Sequence, residues 1–105
     1  MRPIPPKLKA ELAADPYYKI CARWKEGGCE GRITWEHAFT YAGKQINERW
    51  AIIPLCWHHH LGPGLNKAKN QQIALARATP EDLAKYPKVD WEAERKRINY
   101  ILNNQ

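Results

Sequence analysis

Two segments decide the fold: WEHAF at 35–39 and RWAIIPLCWHHH at 49–60. Between Glu36 and His60 they carry all four histidines of the chain, His37 and the run His58, His59 and His60. Cys56 stands just before the run, and Cys21 and Cys29 lie upstream. A full complement of histidines in two clusters, with cysteines beside them, reads as a metal-centred site. Ile33–Phe39 alternates, with Ile33, Trp35, His37 and Phe39 on one face and Thr34, Glu36 and Ala38 on the other, the pattern of a strand. Trp50–Leu55 is expected to be a second strand, apolar on both faces, whose Pro54 suits a sheet edge or a strand end. Tyr41–Glu48 between them reads as a polar loop.

Upstream of this stretch, EGGCEG at 26–31 is a tight turn, its glycines letting the backbone aim the Cys29 thiolate at a metal. Tyr17–Trp24 supplies apolar residues to pack beneath the site, and Lys7–Ala14 forms a short helix ended by Asp15-Pro16. Three prolines make residues 1–6 an extended arm. Downstream, Leu61–Gly64 breaks the chain and Leu65–Ala78 has loose helical spacing. Thr79 caps a short helix that stops near Tyr86-Pro87, and Asp90 caps a last helix supported by the Glu92–Lys96 pair. The five tryptophans, Trp24, Trp35, Trp50, Trp57 and Trp91, are expected in the core, since so small a domain needs its large apolar residues inside.

At 105 residues the chain is one domain, with a core at about 20–65, an arm and helix at 1–19, and helices over 65–105. A net charge of +6 and a pI near 9.4 favour a polyanionic partner, DNA before an anionic membrane surface. No apolar run is long enough to span a membrane, and MRPIPPK lacks the apolar centre of a signal peptide. Three cysteines, an odd number, fit reduced thiols and a cytoplasmic location.

The metal ligands fall into two sets. Cys56 and His59, separated by two residues, can meet one tetrahedral ion, and Cys21 with Cys29 completes a three-thiolate, one-imidazole structural zinc site. The alternative is three unrelated buried thiols. The second set is Glu36, His37 and His60. With it the sequence resembles the HNH endonucleases of the ββα-metal class, carried by Glu36-His37 and by Leu55-Cys56-Trp57-His58-His59-His60. In the zinc-stapled members the turn reads Cys-x-x-Cys-His, so His59 takes the second cysteine's place and His60 is the final His. His58 falls at a variable position and is expected to be exposed. EHAF, YAG and IPLC with its histidines are also similar to phage-borne HNH proteins, among them RecA-dependent recombination nucleases.

The resemblance implies an α+β fold: a small zinc-stapled ββα-metal core with flanking helices. It implies a metal-dependent DNA endonuclease in phage or prophage DNA processing, with a recombinase–DNA filament as a further partner. Phosphodiester hydrolysis needs a base for water and a cation for the developing charge. His37 suits the base, histidine being the side-chain type whose unperturbed pKa lies nearest working pH. Glu36 and His60 would hold one divalent ion, Mg²⁺ or Mn²⁺, with Zn²⁺ or Ni²⁺ as other choices. Neighbours on an ideal strand face opposite ways, so Glu36 and His37 require β-structure to bend or end there. The family's middle Asn would stand at Ala51, which leaves Asn47 or Glu48 to replace it, and Gly64 stands where a third metal ligand would be. Lys44, Arg49, Lys67 and Lys69 flank the site as phosphate contacts. The competing functions are a non-catalytic zinc-held DNA-binding module and a protein-binding adaptor.

Overall fold

The computed structural model describes residues 4–105, so part of the expected N-terminal arm, Met1 to Pro3, lies outside the described residues. The chain forms α1 (Pro6–Ala14), β1 (Ile33–His37), β2 (Thr40–Tyr41), β3 (Lys44–Gln45), β4 (Ile52–Cys56), α2 (Trp57–His60), α3 (Lys67–Arg77), α4 (Pro80–Ala84) and α5 (Trp91–Asn103). Short 3₁₀ turns occupy Pro16–Lys19, Trp24–Glu26 and Arg49–Ala51. The result is an α+β fold with two small antiparallel sheets, β1 with β4 and β2 with β3.

β1 and β4 pair from Ile33 opposite Cys56 to His37 opposite Ile52. A two-stranded sheet consists only of edges, which is why Pro54 is tolerated in β4 opposite Trp35. Its carbonyl still accepts from the Ala22 amide at 2.8 Å, and that bond lays the Cys21 segment along β4.

One face of the sheet packs with Ile53 and Leu55 into the main core, shared with Ala74 and Leu75 of α3 and Ile98 of α5. Ile52 on the other face packs with Leu12 of α1 and Tyr18. Tyr18 seals this smaller cluster by donating its hydroxyl to the carbonyls of Arg49 (2.6 Å) and Ile52 (2.8 Å).

Several boundaries differ from the sequence reading. The first strand ends at His37 rather than Phe39, because Ala38 and Phe39 turn inward as core residues. The second starts at Ile52, the preceding Arg49–Ala51 being helical. The expected polar loop contains the β2–β3 hairpin, turned by Ala42 at φ 53° and Gly43 at φ 78°. α3 begins at Lys67 because the Asn66 side chain caps it, accepting from the Lys69 amide. Thr79 and Asp82 form a complete capping box on α4, and Asp90 caps α5 as expected. The Glu92 ion pair is with Arg95, at 3.8 Å, rather than with Lys96.

The tryptophans divide. Trp50 is buried and Trp91 packs against it edge-on, with Phe39 beside both. Trp24 and Trp57 are exposed, at 57% and 46%. Both belong to the segments that carry the cysteines.

Candidate metal centre

Cys21, Cys29, Cys56 and His59 come from three separate pieces of chain, and their donor atoms all lie within 4.8 Å of one another. Backbone bonds assemble them. The Ala22 amide ties the Cys21 segment to β4, and the His58 amide reaches the Glu30 carbonyl at 3.3 Å, docking the Cys29 turn on α2. That turn runs through Gly27 and Gly28, at φ 80° and 77°, a conformation L residues rarely adopt. Gly31 also has positive φ, and a Cβ there would meet the Trp57 Cβ at 2.9 Å. Cys56 ends β4 and sits at the N-cap of α2, so one helical turn brings His59 back over it.

His59 is buried and turns Nδ1 toward all three sulfurs, 3.4 Å from Cys21, 3.7 Å from Cys29 and 3.3 Å from Cys56. A tetrahedral zinc with ordinary Zn–S and Zn–N bonds sets such sulfur–nitrogen edges at about 3.5 Å. The donor chemistry agrees. Burial, then the charges of Arg23 and His58, lower the His59 pKa and keep the ring a neutral ligand. The thiols pull apart: desolvation, followed by hydrogen bonding with Cys56 and Cys21, pushes Cys29 up to about 12. Burial opposes ionisation of Cys56 too, but backbone hydrogen bonds at His59 and Glu30 bring it below the usual thiol value. A divalent cation resolves this competition by accepting every thiolate at once. The residues therefore fit a structural metal such as zinc.

His58 is half-buried instead of exposed, its ring edge-on to His59 with centroids 4.8 Å apart. A Cβ at Gly64 would come within 2.4 Å of the His58 ring, so the glycine serves close packing at that position.

The second set of residues is placed differently. Glu36 is buried on the α3 side, where the first turn of α3 delivers two donors to it: Lys67 Nζ at 3.0 Å to Oε1 and Asn70 Nδ2 at 2.7 Å to Oε2. His37 sits half-buried at the end of β1, its Nε2 2.6 Å from Asn47 Oδ1. His60 Nδ1 lies 2.6 Å from Thr34 Oγ1, whose hydroxyl also donates to the Leu55 carbonyl at 3.0 Å. Of Asn47 and Glu48, Asn47 meets His37, whereas Glu48 is drawn to Tyr86 Oη and, at 3.3 Å, to Lys85. Both Glu36 oxygens have protein donors: Lys67 balances the charge and Asn70 satisfies the second oxygen. Among the described residues, no metal-type cluster includes Glu36, His37 or His60.

The proposed phosphate contacts also differ from one another. Lys44 is exposed in β3. Arg49 is paired with Asp15 at 3.2 Å and Glu11 at 3.7 Å, and Lys69 reaches Gln72 at 3.2 Å. A cleft of about 560 Å³, lined among others by Lys7, Glu11, Arg49 and Arg77, opens beside Asn47.

Arg23 is buried, and each of its side-chain nitrogens is hydrogen-bonded. It holds Glu26 through two bonds of 2.8 and 2.7 Å, the Gly64 carbonyl at 2.8 Å and Asn70 Oδ1 at 3.3 Å. With Asn70 to Glu36 and Glu36 to Lys67, a chain of polar contacts runs from beside the cysteine cluster to the end of β1. Its sequence signal was slight: Asn70 is an ordinary polar residue in a helix.

Comparison of the chain with family models, with curated proteins and with solved structures found no match.

Proposed function

We propose that the chain is a metal-dependent DNA endonuclease of the HNH kind, hydrolysing phosphodiester bonds. The observation that carries this reading is the His37–Asn47 pair. An amide oxygen can only accept, so His37 holds its proton on Nε2 and keeps a lone pair on Nδ1. An imidazole oriented this way is suited to take a proton from an attacking water. Asn47 then does from the loop what the family's Asn would do from position 51. The antiparallel β1–β4 pair followed by the short α2, with Glu36-His37 ending β1 and His60 on α2, supports the same reading. The net charge of +6 suits a DNA partner.

A divalent ion at Glu36 and His60 would supply neutralising charge at the phosphate when bound. Thr34 orients His60 for that role. Its own proton goes to the Leu55 carbonyl, so it accepts from His60 Nδ1 and leaves Nε2 as the lone-pair nitrogen.

One observation favours a second reading, a zinc-held DNA-binding module without catalysis: Lys67 and Asn70 already satisfy Glu36. Conversion of supercoiled plasmid in Mg²⁺ or Mn²⁺, with and without a recombinase filament, separates the two. Nicked product from wild type and not from His37→Ala supports the nuclease. Binding without product under every metal, in the wild type, leaves the module.

A further inference from the structure

Glu36 is held by two donors of unlike character. Asn70 is fully buried, and its amide oxygen is engaged by Arg23, so it cannot turn away from Glu36 Oε2. Lys67 is half-exposed, at 51%, and its ammonium reaches both Glu36 Oε1 (3.0 Å) and the His37 carbonyl (3.2 Å). It lies at the first position of α3, one turn before Asn70, with a flexible stem leading out to solvent. A carboxylate oxygen and a backbone carbonyl converging on one ammonium define a position for a cation, built of the hard oxygens that Mg²⁺ and Mn²⁺ prefer.

We infer that Lys67 is a tethered competitor for this position: its ammonium occupies the cation site of Glu36 Oε1 and the His37 carbonyl, and leaves it to a divalent ion when a DNA phosphate draws the lysine outward. Two charges in one small site repel, so ammonium and metal exclude each other there. A phosphate is the natural alternative anion for a half-exposed lysine. The metal site thus assembles chiefly when substrate is present. The cation-exchange half stands on geometry alone, and the substrate half rests on the DNA reading given above.

The test is Mn²⁺ titration of the zinc-loaded protein, followed by the electron paramagnetic resonance signal of free Mn²⁺. Lys67→Met is expected to bind Mn²⁺ roughly tenfold more tightly than wild type, since one nearby positive charge is removed. Adding Glu36→Gln to Lys67→Met should abolish the gain. Equal affinity of wild type and Lys67→Met, or a gain that survives Glu36→Gln, overturns the competition. Duplex DNA, added in a His37→Ala background and corrected for Mn²⁺ bound by DNA alone, should raise the affinity of the otherwise unchanged protein toward that of Lys67→Met. No rise overturns the substrate half. Zinc content and melting temperature establish that each variant is folded. Because Mn²⁺ binding is read without cleavage, a gain in Lys67→Met alongside an inactive wild type would sink the nuclease reading and leave the competition standing.

Discussion

At the Ile33–Cys56 end of the β1–β4 hairpin, three sulfurs and one imidazole turn toward one another. At the His37–Ile52 end, about 13 Å away along the strands, the polar side chains turn toward separate protein partners: His37 to Asn47, Glu36 to Lys67 and Asn70. The first group brings four metal-type donors within reach of one ion, as a structural zinc site does. The second is complete as folded. On the zinc reading the first group is an element of the fold, whereas on the proposed nuclease reading the second must exchange a partner in order to act.

The largest expected effect is at the first end. Cys56→Ser removes the ligand that also joins β4 to α2, and structural zinc contributes about 10–16 kcal/mol of apparent binding energy to folding. The variant, like wild type stripped by a strong chelator, should lose its cooperative melt by circular dichroism. An unchanged melting temperature with full zinc content would show that the cluster is not structural.

Next comes the polar chain that links the ends. Asn70→Ala leaves Arg23 and Glu36 buried with a partner missing, a loss of about 2–4 kcal/mol by urea unfolding. A loss below half of that would mean that water replaces the amide, and that the two ends are energetically independent.

The comparison is sharpened by Asn47→Ala. On the nuclease reading it slows plasmid nicking by about one to two orders of magnitude, a part of the roughly 10²–10⁴ that general-base catalysis contributes, while the melting temperature stays near wild type. Equal losses of stability and rate would reassign the His37–Asn47 bond to the fold. The smallest effect concerns Lys44, exposed on β3. As a phosphate contact its replacement by Ala lowers the slope of log affinity against log salt by about one. An unchanged slope removes Lys44 from the interface.

Much of the first end was legible in the chain. Cys56 and His59 lie within one turn of each other, and the glycines around Cys29 announce a reversal, so local spacing nearly suffices to pair them. Lys67 was readable only as a flanking positive charge. Its partner Glu36 is 31 residues away in sequence, and nothing local links them. Arg23 and Asn70 escaped notice for the same reason: a buried charge is recognised by what encloses it. Trp24 and Trp57 misled because burial was inferred from residue type, yet the cysteine-bearing segments keep them outside.

By itself the sequence determined the local conformations: the strand alternation around Trp35, the caps at Thr79 and Asp90, the glycine turn before Cys29 and the spacing of Cys56 with His59. Each depends on contacts between residues near in the chain, which propensity and periodicity report directly. Only the tertiary structure decided which polar groups meet: Asn47 rather than Glu48 at His37, Arg23 beneath Asn70, and Lys67 on Glu36. The last two pairings follow from how α3 lies against the sheet, and the first from where the segment after β3 returns to the end of β1. Packing of whole elements sets that arrangement, and with it the choice of one partner among many polar residues of similar intrinsic preference.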